Sequence, residues 1–394
     1  SEVREFRIRM GMELDLMNLW FGKTADYFKQ FISDQTIGMA RINRFDFTTL
    51  PINLLYLLYY EYRRNEKESL NFSFFEYGKN SNGNPDDDRW EMYLELQEMY
   101  AILQRWYNDK ELYHYLGFLF FNFKAQTPFR DIYTQWKALN SRDKFLKDIQ
   151  HTIATRMLDR YLEETEKAAP DYQKCLKTMT EAISDFRENW YNNDKELYQI
   201  LILLDIFRIL DSKSIKKLPT DYFTRKSGQK DGEDKEHILS QTPRKDNGEI
   251  ATIKTDWEKF VQSEDFKDIR SQMQEILNHS DAELTEQELT QLQNLLNSAG
   301  LNSIGNMVLL DLRINRSYGN ADYAHKRTII FQEYMNQKYV RPHTLAVFMK
   351  GDIDAREATG IPLNRWTLED IKRNTDKIAK EIGKNFNAWL TQNN

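Results

Sequence analysis

The first 215 residues carry an almost continuous helical pattern of apolar side chains. Apolar residues recur at three- and four-residue steps, for example from Leu14 to Tyr27 and from Arg89 to Trp106, which is the spacing of one face of an α-helix. The chain of 394 residues contains only 15 glycines and 8 prolines, so few residues interrupt these helices. The pattern therefore predicts a mainly α protein.

The composition changes after residue 222. Thr224 to Lys235, TRKSGQKDGEDK, is polar and contains glycine, which is typical of a loop or a domain boundary. We predict a helical domain over residues 1–222 and a second domain over residues 223–394 with a helical insertion at 255–298. Thr285 with Glu288, and Thr367 with Asp370, have the spacing of helix capping boxes.

Two stretches of the second domain combine groups that suit chemistry on phosphate. The first is Glu236–Pro243, EHILSQTP. The second, Leu301–Arg327, predicts a short apolar strand from Met307 to Leu310, then a polar turn and the start of a helix. A strand that leads into a helix is a natural place to hold a metal ion and a phosphate.

His237 is the candidate general base, because a histidine can take a proton from water near neutral pH. The side-chain oxygens of Glu236 and Asn315 are hard ligands, so one Mg²⁺ or Mn²⁺ ion is the expected cofactor. Phosphate or DNA contacts are expected from four polar residues: Arg316, Asn320, Lys326 and Arg327. This set suits metal-assisted phosphodiester hydrolysis.

Ordinary structural roles also account for these residues. A Glu-His dipeptide is more often solvated surface or a hydrogen-bonded core histidine, and an asparagine-rich segment such as 315–320 is usually a turn. The net charge of −6 argues against a surface generally coated for nucleic acid. Residues 301–350 nevertheless hold seven Lys or Arg against three Asp or Glu, which makes this block locally positive.

The remaining composition indicates the compartment. The single cysteine, Cys175, excludes an internal disulfide framework and fits a reducing cytosol, so a cytoplasmic location is expected. No apolar run approaches the ~20 residues that a membrane span needs. The chain opens on Ser1 rather than Met, which indicates a fragment of a longer protein.

The motifs EHILSQTP and NSIGNMVLLDLRINRSYGNADYAHKR resemble the carboxy-terminal nuclease domain of the GmrSD-type modification-dependent restriction proteins, over roughly residues 236–350. That domain belongs to the HNH, or ββα-metal, nuclease superfamily. The segment Glu111–Leu119, ELYHYLGFL, resembles the helical region of the same family. The amino-terminal ParB-like domain of the family carries an Asp-Gly-Gln-Gln-Arg motif that is absent here, so the chain resembles the carboxy-terminal portion, and the ParB-like domain is an expected partner.

The resemblance implies roles for single residues. His237 takes the place of the general base, and Glu236 that of a metal ligand. Asn306 matches the central asparagine that braces the loop and orients the base, and Asn315 matches the metal ligand on the helix. Ser240 stands where the family usually has proline. The predicted fold is therefore mainly α, with a helical amino-terminal domain followed by a helix-decorated ββα-metal (HNH, His-Me finger) nuclease domain.

The implied function is Mg²⁺- or Mn²⁺-dependent cleavage of foreign or modified DNA in a bacterial system that restricts phage. Two alternatives stay open: a catalytically silent DNA-binding or scaffold module, and an HNH-type RNase. A homo-oligomer is also left open. Nuclease assays on plasmid and on structured RNA, with and without EDTA, separate these readings.

Overall fold

The computed structural model describes residues 2–64, 70, 85–213, 217–226, 232–240, 242–243, 249–262, 266–314, 323–350 and 365–392. Over these residues the chain is mainly helical, which confirms the predicted class, and it contains one two-stranded sheet. No helix of the described chain is both long and apolar enough to cross a membrane.

The α-helices of the described segments follow one another along the whole chain. They are α1 (Glu2–Phe28), α2 (Asp34–Ile42), α3 (Asn53–Arg63), α4 (Pro85–Asn108), α5 (Lys110–Phe123), α6 (Phe129–Leu139), α7 (Arg142–Leu158), α8 (Tyr172–Ser184), α9 (Asp194–Asp211), α10 (Lys254–Val261), α11 (Arg270–Asn278), α12 (Glu286–Ser298), α13 (Tyr323–Met335), α14 (Pro342–Met349) and α15 (Leu368–Thr391). Short 3-10 turns include Trp190–Asn192 and Ile304–Asn306.

The first compact unit comprises residues 1–156 and 216–223. Aromatic rings fill much of its core: Phe31 stacks on Phe120 with ring centroids 3.9 Å apart, and Trp106 stacks on Phe145 at 5.6 Å. Gly117 in α5 allows the ring of Phe223 to approach closely, because a Cβ there would lie 2.5 Å from Cζ of Phe223. The regularly spaced apolar and aromatic residues of the sequence are thus the residues that pack in the core of this unit.

The second compact unit comprises residues 157–215 and 224–392. Unlike the predicted helical domain over residues 1–222, this division groups residues 157–215 with the second unit, because α8 packs against α15, and α9 packs against α14 and the sheet. The polar segment that follows residue 222 begins where the chain passes from the first unit back to the second, between residues 223 and 224.

The sheet pairs β1 (Glu233–His237) with β2 (Met307–Asp311) in antiparallel register. The apolar strand predicted at 307–310 is confirmed as β2, which is buried except at its last residue. Helices α10, α11 and α12 lie in the chain between the two strands, in the segment expected to form a helical insertion.

Both predicted capping boxes are confirmed. The Thr285 hydroxyl accepts from the Glu288 backbone N–H at the start of α12, and the Glu288 carboxylate accepts from the Thr285 N–H. Thr367 and Asp370 make the same reciprocal pair at the start of α15. These local contacts satisfy backbone donors that a helix start leaves without partners.

Candidate active site

Strand β1 places His237 and Glu236 on opposite faces of the sheet. His237 pairs with Met307, and Glu236 pairs with Val308, which lies in the apolar core of the second unit. Neighbouring residues of a strand point to opposite sides. His237 therefore lies on the face away from Val308, while the half-buried Glu236 shares the Val308 face.

His237 is buried, with 6% of its surface exposed, and two of its contacts orient the ring. Its Nε2 lies 2.8 Å from Oδ1 of Asn302, and its ring stacks on Tyr191 with centroids 4.8 Å apart and planes 19° apart. An amide oxygen can only accept, so Nε2 carries the hydrogen in this contact. In the neutral imidazole, Nδ1 is then the nitrogen that holds the lone pair.

Further contacts hold both neighbours of His237. The Lys235 ammonium lies 4.2 Å from the centroid of the Tyr191 ring, and it donates to the Tyr191 carbonyl oxygen and to the Asp194 carboxylate. The Asn302 amide nitrogen donates to Oδ1 of Asn297 at 2.7 Å, which fixes the direction of the oxygen that faces His237. The ring is thus oriented on one face and at one edge by groups that are themselves held.

Asn306 is fully buried, and its amide braces the backbone after His237. Its Oδ1 accepts from the Leu239 N–H at 2.8 Å, and its Nδ2 donates to the carbonyl oxygens of Leu239 and Leu301 at 3.0 and 2.9 Å. Its own carbonyl accepts from the Ile238 N–H at 2.9 Å. These bonds form the brace that the family resemblance implied. A part for Asn306 in catalysis stays a prediction.

Gly305 brings this turn into contact with α15. A Cβ at Gly305 would lie 2.6 Å from the Thr375 backbone nitrogen and would also collide with the Ile371 carbonyl oxygen and the Thr375 hydroxyl. The Asn374 amide donates to the Gly305 carbonyl oxygen at 2.9 Å. Because the neighbouring atoms include helix backbone, only glycine fits here without moving α15.

Lys326 and Arg327, predicted to contact phosphate, bind groups of the protein itself. The fully buried Lys326 ammonium donates to the carbonyl oxygens of His237 and Ile238 at 2.8 and 3.2 Å. The half-buried Arg327 donates from Nε to the Phe348 carbonyl oxygen at 2.9 Å. This geometry gives both residues a structural role, and phosphate contact by either stays a prediction.

The other predicted ligands, Asn315, Arg316 and Asn320, lie outside the described residues. Within the described segments, no three His, Cys, Asp or Glu side chains come together as a metal site. The donor types in the predicted pair, a carboxylate at Glu236 and an amide oxygen at Asn315, do fit a hard cation such as Mg²⁺.

A buried ion network secures the start of β1. The Arg341 guanidinium binds both carboxylate oxygens of Glu233 at 2.7 Å and Oδ2 of Asp205 at 2.8 Å. Burial by itself lowers the pKa of Arg341, but Glu233 and Asp205 outweigh it and raise that pKa overall. Burial raises the pKa of Asp205, although Arg341 and the His343 N–H oppose this shift. The network ties β1 to α9 and α14.

Sequence reasoning missed Tyr191 and Asn302 as neighbours of the histidine. Asn302 lies within the Leu301–Arg327 stretch, so an amide just before the apolar strand was an available signal. Tyr191 lies far upstream of His237, and nothing in the local sequence indicates that the two rings stack.

Residues 180–381 match the family model described as GmrSD restriction endonucleases, C-terminal domain. The match covers 202 of the 394 residues, which is more than half of the chain, and the chain belongs to this family. The matched range contains both strands and the residues around His237, which places the chain among restriction-endonuclease proteins. No curated protein and no solved structure matched the chain.

Proposed function

We propose that the second unit is a DNA endonuclease of the HNH, or ββα-metal, type with His237 as its general base. The elements β1, β2 and α13 occur in the order that this fold requires. The observation that carries the proposal is the contact of His237 Nε2 with Asn302, because it leaves Nδ1 as the basic nitrogen of an oriented imidazole.

The surroundings of His237 suit both forms of a catalytic base. In the neutral form, Nδ1 accepts a proton from the water that attacks phosphorus. In the resulting imidazolium, Nε2 still donates to Asn302, and the ring still stacks on the electron-rich face of Tyr191. Proton transfer therefore requires no rearrangement of these two neighbours.

Glu236 and Asn315 would hold one Mg²⁺ or Mn²⁺ ion. When bound, such an ion supplies stabilisation for the negative charge that grows on the leaving oxygen. Arg316 and Asn320 are the proposed phosphate contacts. For Lys326 we propose a positioning role, since its ammonium holds the carbonyl oxygens of His237 and Ile238.

The substrate we propose is foreign or modified DNA, within a bacterial restriction system. Membership of a restriction-endonuclease family supports this choice. A ParB-like domain is the proposed partner, because it accompanies this nuclease domain in the family that the motifs resemble.

The test is plasmid cleavage by the His237→Ala variant in Mn²⁺. Loss of a general base lowers the rate by about 10²–10⁴-fold, so nicking should fall to that extent. The exposed His279 offers a matched control, and His279→Ala should cleave like the parent. Cleavage by His237→Ala at the parent rate would refute the assignment of the base.

A second set of variants tests the orientation of the base. Asn302→Ala removes the acceptor for Nε2, whereas Asn302→Asp keeps an oxygen there and should retain more activity. Asp also adds a negative charge, which should raise the pKa of the His237 base, so the acidic limb of the pH–rate profile should move to higher pH. Equal activity and identical pH–rate profiles for the two variants would show that Asn302 does not position His237.

The low exposure of His237 favours one rival, a DNA-binding module without catalysis. This rival predicts DNA binding but no cleavage, with or without EDTA, and no effect of His237→Ala on product. Structured RNA in parallel reactions tests the RNase reading, which predicts metal-dependent cleavage of RNA in preference to plasmid.

A further inference from the structure

The first compact unit contains a concave site that the proposed nuclease chemistry does not use. Between the end of α2 and the loop that follows it is a cavity of about 650 Å³, whose lining includes four cations: Lys29, Arg41, Arg44 and Lys124. A cavity of this size is in the range of small-ligand and cofactor sites. All of its lining residues belong to this unit.

The charge of the lining is positive. Four cations face two carboxylates, Asp34 and Asp46. Lys124 pairs with Asp34 at 2.6 Å, and the Asp46 carboxylate accepts from the Thr48 N–H and hydroxyl at 2.8 and 2.7 Å. These Thr48 contacts hold the pKa of Asp46 below its usual value, so the carboxylate stays ionised within its own turn.

Arg41 and Arg44 are the cations of this cavity that could bind a ligand. Both are exposed, and neither forms an ion pair with a carboxylate in the part of the chain that the structure describes. Two exposed arginines in the lining of one cavity suit a phosphate, because arginine presents paired N–H donors to planar or tetrahedral oxyanions.

Arg44 also has an unusual backbone. Its φ of +62° is in the left-handed region, just after the C-cap residue Asn43 of α2, where glycine is the usual choice. The Phe45 N–H donates back to the Ala40 carbonyl oxygen at 3.0 Å, which completes the helix end around this residue. Sequence optimised for stability alone would place glycine here.

The apolar side of the cavity includes Ile37 and the half-buried Phe47. Most aromatic residues of this unit pack ring against ring. Phe47 makes no ring contact with any described residue, so this lining residue has no aromatic partner within the described part of the chain. Such a ring is suited to stacking on an unpaired base.

We infer that this cavity binds one nucleotide unit, with the phosphate at Arg41 and Arg44 and the base against Phe47. The unit can come from a single DNA strand or from a free nucleotide, since both present the same phosphate and base. The inference concerns the helical unit and does not depend on His237 or on a metal ion.

The inference is tested by titrating a short fluorescein-labelled single DNA strand with the full chain. Fluorescence anisotropy measures the binding, and EDTA is present so that no metal-dependent cleavage occurs. The Arg41→Gln/Arg44→Gln variant should bind about tenfold more weakly. Its slope of log K against log salt should be shallower by about 1.4, which is ~0.7 for each lost phosphate contact on a single strand. Arg7→Gln, an exposed arginine outside the cavity, is the matched control and should change neither value.

Two further variants separate stacking by Phe47 from phosphate binding by Arg44. Phe47→Leu should weaken binding about fivefold or more and leave the salt slope unchanged, because stacking carries no charge. Arg44→Gly should weaken binding without lowering the melting temperature, because glycine relieves the left-handed backbone. A loss of both binding and stability would contradict this assignment for Arg44.

Competition identifies the source of the nucleotide. Displacement of the labelled strand by a free deoxynucleoside monophosphate supports a free nucleotide, and displacement by an unlabelled strand alone supports DNA. Parent-like affinity and salt slope in Arg41→Gln/Arg44→Gln overturn the inference. So does equal displacement by polyglutamate of the same charge, which would show a general anion-binding surface.

Discussion

The two compact units bury different kinds of side chain. In the described part of the first unit, aromatic rings dominate the core, and Glu61 is the buried residue of formal charge. The second unit buries a larger ionic set: Glu196, Asp205, Glu233, Lys326, Arg341, Lys350 and Asp370. Buried ions contribute little to stability but demand a particular geometry. The comparison indicates that the core of the first unit is held mainly by the packing of aromatic side chains. The buried ions of the second unit instead hold particular backbone segments and side chains in place.

The buried polar groups of the second unit concentrate around one strand. Arg341 binds the first residue of β1, Lys326 binds the carbonyl of its last residue, and Asn306 binds the backbone just beyond it. Each group holds main chain or a strand residue rather than solvent. The strand that carries His237 is thus fixed at both ends by interactions whose loss leaves buried polar groups without partners.

Arg341→Ala should give the largest effect. It leaves the carboxylates of Glu233 and Asp205 buried without their cation, which should lower the free energy of unfolding by about 3–5 kcal/mol. Urea unfolding, with hydrogen exchange read on β1 peptides, measures this. A triple variant, Arg341→Met with Glu233→Gln and Asp205→Asn, should recover most of the stability. A mild effect of Arg341→Ala would remove the contrast between the two units.

The second prediction concerns pH and the first unit. The fully buried His114 donates from Nδ1 to the Lys110 carbonyl oxygen and accepts at Nε2 from the Leu218 N–H, as expected for a packed histidine. Burial lowers its pKa from 6.5 to about 4. The unfolded chain therefore takes up this proton first. The neutral, buried imidazole contributes fully to the free energy of unfolding above pH 6.5. This free energy should fall by about 3 kcal/mol as the pH is lowered to about 4.

The variant His114→Gln isolates this contribution, since an amide can also donate and accept. Its stability should change less than that of the parent between pH 6.5 and 4 in urea titrations. His279→Gln, at an exposed position, should keep the parent's pH dependence. Equal slopes for the parent and His114→Gln would show that the buried imidazole is not the acid-sensitive group.

Glycine replacements compare how the two cores respond to added volume. Gly305→Ala meets helix backbone, whereas Gly117→Ala meets the ring of Phe223, a side chain that can shift. We expect about 3 kcal/mol of destabilisation for Gly305→Ala and about 1 kcal/mol for Gly117→Ala. Thermal unfolding measures both, and Gly305→Ala should also slow cleavage. The reverse order would mean that the turn before β2 adapts more readily than the aromatic core.

Arg142→Ala should have the smallest effect. In the first unit, Arg142 binds Asp109 at 2.8 Å and Glu111 at 2.6 Å, but its side chain is 24% exposed, against 2% for Arg341. Water screens this network, so its loss should lower the unfolding free energy by about 1 kcal/mol or less. A loss as large as that from Arg341→Ala would show that burial is not what distinguishes the two arginines.

Features fixed by neighbouring residues were predictable from the sequence. The two capping boxes depend on residues three apart, and β2 depends on a run of apolar residues. Strand β1, EDKEH, has no such pattern, because its pairing with β2 and its ion network come from distant parts of the chain. The sequence analysis predicts only the second strand, and the ββα fold that the family resemblance implies gives no bounds for the first.

Motifs selected the candidate residues and the bracing asparagine, but most of the contacts around His237 could not be predicted from the sequence. His237 and Asn306 were chosen from motifs, and the structure places Asn306 against the backbone after His237. The stacking of Tyr191 and the burial of Lys326 follow from tertiary packing between elements far apart in sequence. A lysine near a phosphate-binding motif looks the same in sequence whether it faces a ligand or a carbonyl oxygen.

The two strands of the site are neighbours in space but are separated in the chain by the segment that contains α10, α11 and α12. For a flexible connection, each doubling of length adds only about 0.6 kcal/mol to the entropy of closing the loop. Cross-strand hydrogen bonds and the Asn306 brace, rather than chain proximity, therefore keep the strands together. Evolution can lengthen or shorten this segment at small thermodynamic expense, but pairing of such distant strands should come late in folding.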